Sequence, residues 1–353
     1  VLTGILPLLR CSSGYQENNG KKTFNGKEIT DKHFVVLNES FAKDSLYAYY
    51  KEKSIAGADV ASFRAIDDAY GKDRNRVYYC DESRDGKNYY MTKYQVVTVV
   101  EQADPVSFKL IGSGYAKDRL HGFFGSKLFI VKDIASLTGI NSHFSKDDVQ
   151  AYYNCRPLTG SDGKTFELIN DYYAKDTNHL YFCKPLETPK ESVLVIPCNR
   201  AGFTLLEYPF SKDDAKVFYE NLVINGAGAA SFTVLENGYS KDNSAVYIET
   251  RRIAGADPAS FEIFKDDGQL TQDDYYSRDK VGIYWFDKKI TCTALAAFKA
   301  LGHGYATDGM NVFYKTNIIN NAEVQSFKVY PHDFGDADAE DGHTKYHSGK
   351  RVR

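Results

Sequence analysis

A motif that returns every 29 residues governs what this chain can fold into. Its clearest form is Tyr239-Ser-Lys-Asp-Asn-Ser-Ala-Val-Tyr-Ile248, completed by Ile253-Ala-Gly-Ala-Asp-Pro-Ala-Ser-Phe261. Copies begin at Phe41, Tyr70, Tyr115, Phe144, Tyr173, Phe210, Tyr239, Tyr276 and Tyr305, with degenerate copies near Tyr15 and Phe334. The intervals between the clear copies are 29, 45, 29, 29, 37, 29, 37 and 29 residues, so the exceptions carry 8 or 16 extra. A fixed period of this size belongs to repeat architectures, in which a unit too small to bury a core alone leans on its neighbours.

Within one copy, Ser231-Phe-Thr-Val-Leu235 and Val246-Tyr-Ile248 have the aromatic and β-branched content of short strands. Arg251-Arg-Ile253 reads as a third. Tyr239-Ser-Lys-Asp-Asn-Ser244 reads as a turn or loop, with an Asp able to bond its own backbone two residues on. Gly255-Ala-Asp-Pro-Ala-Ser260 resembles one helical turn, with Asp257 as N-cap and Pro258 in the first helical position. The chain has 27 Tyr and 22 Phe against 2 Met, which favours strands over helices. The expected fold is all-β with short helical turns: tandem 29-residue β-hairpin repeats in a solenoid-like or curved array. Residues 15–353 form a single array of about ten repeats in this reading.

The extra residues fall in polar connections, where an array tolerates length. They lie after Tyr79 (from Cys80 to Lys87), after Phe182 (Cys183 to Lys190) and after Phe264 (Lys265 to Gln269). A net charge of -3 without a sustained basic block argues against nucleic acid as a partner.

Residues 1–14 read as the remnant of a signal or lipoprotein-like segment, with Cys11 as the lipidation candidate and Arg10 departing from the small residue usual before such a Cys. That places the chain in the periplasm, attached to a membrane through a lipid anchor. Of the other cysteines, Cys183 and Cys198 flank one insertion and form the candidate local disulfide, with Cys155–Cys183 as the alternative pairing. The sequence has no Cys-x-x-Cys, and neither a metal nor another cofactor is expected.

The Asp of the Lys-Asp pair recurs as Asp44, Asp73, Asp118, Asp147, Asp176, Asp213, Asp242, Asp279 and Asp308. One carboxylate per unit beside a Lys makes a poor cation cage, so these are assigned to structural turns. Two aromatic sets follow. Tyr49, Tyr78, Phe123, Tyr152, Tyr181, Phe218, Tyr247, Tyr284 and Phe313 are assigned to the core. Their neighbours Tyr50, Tyr79, Phe124, Tyr153, Phe182, Tyr219 and Trp285 should point to the opposite face and are the candidates for a partner-binding surface. Enzyme motifs fail on spacing. Gly160-Ser-Asp-Gly-Lys-Thr165 has two residues between its glycines where a phosphate loop needs four. Asp336-Ala-Asp-Ala-Glu-Asp-Gly342 has its glycine one place late for a calcium loop and reads as an acidic turn. No catalytic residues are assigned.

Tyr173-Ala-Lys-Asp-Thr-Asn-His-Leu-Tyr-Phe182 and Tyr70-Gly-Lys-Asp-Arg-Asn-Arg-Val-Tyr-Tyr79 resemble the DKNYY repeat family of bacterial proteins. The resemblance spans roughly residues 15–350 and implies a repeat protein of the cell envelope or secretion systems. Arg278 and Thr307 stand where other copies carry Lys, and Phe123-Phe124 where they carry a Tyr pair. The functional expectation is a non-catalytic protein-binding module, specifically a periplasmic lipoprotein immunity protein that neutralises a secreted toxin. The alternative is a surface adhesin or glycan-binding array that uses the second aromatic set.

Overall fold

The computed structural model describes residues 14–84, 86, 93–184, 193–264, 275–330 and 337–352. Short antiparallel strands make up nearly all of its regular structure, and the helical elements among the described residues are single 3-10 turns at Arg200–Gly202 and Leu295–Ala297. The fold is all-β, built of tandem antiparallel hairpin sheets.

One repeat is a four-stranded meander. Thr233–Val234, Tyr239–Lys241, Val246–Ile248 and Arg251–Arg252 pair in chain order, with Tyr239 opposite Ile248 and Lys241 opposite Val246. The start of the motif is therefore a strand and not the loop expected from its polar residues. The turn begins only at Asp242, whose carboxylate closes it, and this frees Tyr239–Lys241 to pair. Residues 255–260 form the expected single turn, closed by Ser260 N–H donating to the Asp257 carbonyl.

The chain divides into two compact units within the repeat that begins at Tyr173. The first unit holds the three-stranded sheet of Tyr15–Asn18, Lys21–Phe24 and Lys27–Ile29, followed by the four-stranded sheets that contain Phe41–Lys43, Tyr70–Lys72, Tyr115–Lys117 and Phe144–Lys146. The second holds the sheets that contain Phe210–Lys212, Tyr239–Lys241, Tyr276–Asp279, Tyr305–Thr307 and Ala339–Glu340. The last copy thus starts at Asp338, aligned by Asp341 with the other turn carboxylates. Phe334 lies outside the described residues.

Among the described residues, successive repeats within a unit share their cores. The first aromatic of a pair packs backward on the preceding repeat, and the second packs forward. Tyr78 joins Phe41, Tyr50 and Phe63; Phe123 joins Tyr70 and Phe108, with Tyr79 against them. In the second unit Tyr247 joins Phe210 and Phe232, Tyr284 joins Tyr239 and Phe261, and Phe313 joins Tyr276, Trp285 and Phe298. Rings follow one another at 5.4 Å (Tyr70–Phe108) and 5.7 Å (Phe108–Phe123), within the range where tilted aromatic pairs attract. The residue after the motif's first aromatic must be small. At Gly71 a Cβ would lie 2.6 Å from a Phe63 ring carbon.

This packing corrects the assignment of the second aromatic set to an exposed face. Tyr50, Tyr153, Phe182 and Trp285 are buried, and Tyr79, Phe124 and Tyr219 are half-buried against the clusters. Period-two alternation does send the two sets to opposite faces, but a neighbouring repeat covers each face. The expected disulfide is also absent. Cys183 and Cys198 are both free. Leu180 and Phe182 face the cluster against which Cys198 packs, so alternation turns Cys183 the other way.

The insertion after Tyr79 extends one hairpin, Val77–Arg84 pairing with Lys93–Val99. Cys11 and most residues of the other two insertions lie outside the described residues.

Candidate functional site

Most of the motif's polar residues serve a backbone staple. In the second unit, Asp242 Oδ1 accepts N–H groups from Ser244 and Ala245 (2.7 and 2.8 Å), closing its own hairpin. Its Oδ2 accepts Gly228 N–H at 2.7 Å, from the turn that leads into the repeat, and the Tyr247 hydroxyl at 3.0 Å. The same geometry recurs at Asp73 with Asp59 N–H and Tyr78, and at Asp147 with Asp133 N–H and Tyr152. At Asp118 it recurs with Asp104 N–H, and at Asp341 with Glu323 N–H and Tyr346. Burial pushes the Asp242 carboxyl up, but the hydrogen bonds from Gly228, Ser244 and Ala245 outweigh it and hold the group down at about 2. Asp341 is held at about 2 by the same balance.

The Lys of the pair grips the other end of a turn. Lys43 Nζ donates to the carbonyls of Val60 (2.9 Å) and Phe63 (3.1 Å), while Asp73 holds that turn's first N–H. Lys117 donates to Ile134, Ala135 and Leu137, Lys212 to Ala229, and Lys241 to Pro258. Each turn thus has a carboxylate at its N–H end and an ammonium at its carbonyl end, the arrangement that backbone dipoles favour. A third element completes the staple: Ser62 Oγ accepts Arg74 N–H, Ser107 Oγ accepts Arg119 N–H, and Ser260 Oγ accepts Lys280 N–H. The phosphate-loop echo belongs here too, since Asp162 N–H donates to Asp176 and Thr165 caps Asp162. A Cβ at Gly163 would lie 2.0 Å from the Asp147 carbonyl oxygen, which explains that glycine without a ligand.

Lys175 departs from this pattern by pairing with Glu167; further departures gather in the last repeats of the second unit. Arg278 leaves the carbonyl grip and pairs with Glu262, lying 5.1 Å from the Phe264 ring. Thr307 donates to Asn311 in its own hairpin. The aromatic pair across the hairpin, seen as Phe210–Tyr219 and Tyr305–Tyr314, becomes Asp338 and His347, with Nδ1 3.8 Å from Oδ2. Asp338 is fixed by the Tyr305 hydroxyl (2.6 Å) and Ser348 N–H (2.7 Å). Phe286 stands at the hairpin's left-handed position with φ 53°, where equivalent residues are Glu220, Glu249 and Lys315. A bulky residue there costs on the order of 1 kcal/mol.

Arg278, Phe286, Asp338 and His347 line clefts. One of about 640 Å³ is lined by apolar side chains including Val234, Leu235 and Phe264 together with Glu207, Glu236, Glu262 and Arg278. Two others, of about 340 and 360 Å³, share Trp285, Phe286 and Lys315. Arg251, Asp287 and Lys288 line the first of this pair; His303, Tyr314, Asp338 and His347 line the second. Trp285, of the second aromatic set, stands at the wall of both of these clefts. Among the other cleft residues, Arg278 is visible in the sequence as a departure from the motif. Among the described residues, no group of three His, Cys, Asp or Glu side chains is placed to hold a metal ion.

Short antiparallel sheets, stacked through shared aromatic ladders and stapled by a Lys-Asp pair, define a tandem β-hairpin repeat protein. The chain belongs to the DKNYY family, whose model matches residues 9–83, 82–186 and 199–350. No curated protein and no solved structure matches it.

Proposed function

We propose that the chain is a non-catalytic scaffold that binds a protein partner through the last repeats of its second unit. The observation that carries this reading is the coincidence of motif departures with clefts. In the repeats that begin at Tyr70 and Phe210 the Lys, the Asp and both aromatics are consumed by packing and by the staple. Where the motif breaks, at Arg278, Phe286 and Asp338, charged and aromatic groups line open concavities. In a repeat scaffold, the positions released from the consensus are those free to recognise something else.

The specific form of the proposal is an immunity protein of the periplasm, anchored through Cys11, that occludes a secreted toxin. Irregular insertions on a regular framework support it. Affinity capture from the parent cells tests the reading, with the intact chain and a Lys288→Ser/Lys315→Ser variant as baits. One protein recovered stoichiometrically by the first and lost from the second is expected; equal recovery by both would overturn it. Co-expression with the captured protein tests the toxin form, and unchanged killing would end it. The glycan-binding alternative gains no support from ring geometry. Phe286 covers Tyr275 at 3.9 Å, Arg251 lies 5.9 Å from Phe286, and Tyr314 is flanked by Tyr305 and Lys315.

A further inference from the structure

We infer that the paired clefts around Trp285, Phe286 and Lys315 form an anion-receiving site, and that the group it takes is a carboxylate side chain on an acidic segment of the protein partner. This rests on the protein-binding reading above and specifies its chemistry.

Charge is the first argument. Arg251, Lys288 and Lys315 line the clefts, with His303 and His347 as further nitrogen donors. The two carboxylates present are already engaged. Asp338 accepts from Tyr305 and from Ser348 N–H, and Asp287 lies 3.8 Å from Arg251. Neither Lys288 nor Lys315 has a carboxylate within ion-pair distance among the described residues, whereas Lys51, Lys184 and Lys280 elsewhere are paired. Lys315 instead lies 5.1 Å from the Tyr314 ring centre. An ammonium held over a ring beside a concavity is a donor with bonds to spare.

The walls give the second argument. With the ring faces taken by one another and by cations, the aromatic surface left to a ligand is largely ring edge. Edges carry the positive part of the ring quadrupole, so they favour an anion over the apolar face of a sugar.

The third argument is positional. Phe286, Lys315 and Ser348 occupy the same left-handed place in three successive hairpins, where the two copies before them carry Glu220 and Glu249. The row changes from acidic to apolar and basic where the clefts begin. Strain at Phe286 is retained at that boundary, stacked on Tyr275 with the rings 23° from parallel. An extended acidic segment could set successive same-side carboxylates along this row, since alternate residues of an extended chain recur about every 6–7 Å.

Trp285 is the chain's only tryptophan and lines both clefts, so its emission reports on the site directly. Titration of the intact chain with hexaglutamate is expected to change that emission saturably and to weaken as salt rises from about 50 to 500 mM. Lys288→Ser/Lys315→Ser should weaken binding by about tenfold or more while leaving the melting midpoint unchanged. Phe286→Tyr, which keeps the stacked ring, should bind as the parent does. No emission change with hexaglutamate, or binding unaltered by the double substitution, overturns the anion site. Glucuronate or inorganic phosphate binding as tightly as hexaglutamate overturns the assignment to a protein segment. A failed hexaglutamate titration beside successful, lysine-independent partner capture sinks this inference together with the location of the interface, but not partner binding itself. Successful titration with no captured partner sinks the protein-binding reading and the assignment to a partner's segment, and leaves the anion site itself standing.

Discussion

The repeats that begin at Tyr70 and Tyr239 use the same backbone as the repeats that begin at Tyr276, Tyr305 and Asp338, and put it to a different end. In the first pair the Lys, the Asp and the aromatics all face inward to neighbouring repeats. Lys72 and Lys241 reach turn carbonyls, and Asp73 and Asp242 take N–H groups from two turns each. In the second group the Asp survives at Asp279, Asp308 and Asp341, while the Lys becomes Arg278, Thr307 and Glu340. The carboxylate therefore does the part of the work a hairpin cannot do without, and the ammonium is the part that can be released. Burial explains the asymmetry. An unsatisfied N–H group at a covered turn costs about 1–3 kcal/mol, whereas carbonyl oxygens at the turn's far end can turn toward water.

The largest effect should come from breaking the staple where it is complete. Asp242→Ala strands three N–H groups and leaves the Tyr247 hydroxyl only the Gly226 carbonyl, and should cost about 3–5 kcal/mol, read as a lower melting midpoint and faster amide exchange at Gly228, Ser244 and Ala245. Asp338→Ala removes two bonds at the unit's last repeat and should cost about half as much or less. The ladder gives a similar contrast. Phe123→Ala, at a fully buried ring, should cost about 3–5 kcal/mol, whereas Phe286→Gly relieves the left-handed backbone and should fall within about 1 kcal/mol of the parent.

Acid should act mainly through the staple. Asp242 and Asp341 titrate at about 2 in the folded chain, below the ordinary value of about 3.9 in the unfolded one. Their contribution is complete above about pH 4 and is lost as pH falls through about 2. Asp73, Asp118, Asp147 and Asp213 are shifted in the same direction, burial opposing and hydrogen bonds prevailing. Melting midpoints measured from pH 5 down to 2 should fall, and should fall less in an Asp242→Ala background. The smallest effect sharpens the comparison from the other side. Restoring the consensus with Thr307→Lys should stabilise the last repeat by about 0.5–1.5 kcal/mol, because a turn regains its carbonyl grip.

Much of this was legible in the sequence because a period is a structural statement. The 29-residue spacing, the Asp turns and the single turn at 255–260 all follow from residue types at fixed offsets. Two features were hidden. Tyr-x-Lys is a strand of three residues, too short for alternation to show, and its polar Lys is satisfied by a turn 17–20 residues on. Exposure of the second aromatic set was misjudged because alternation says which face a side chain takes, not whether another repeat covers that face. The last copy was placed near Phe334, yet the five-residue interval from Asp341 to Tyr346 matches Asp44 to Tyr49 and marks its true register. The clefts depend on residues from three successive repeats, which no single copy reveals.

The most direct test of the division between staple and site is one set of melting curves with and without saturating hexaglutamate. The parent should melt higher with the peptide, as any ligand of the folded state requires. Asp242→Ala should melt roughly 6–15 °C lower yet keep the peptide-induced rise. Lys288→Ser/Lys315→Ser should melt with the parent and show no rise. Loss of the rise in Asp242→Ala at temperatures where it is still folded, or a lowered midpoint in the lysine variant, would mean that the same residues hold the repeats and recognise the ligand, and would contradict the account.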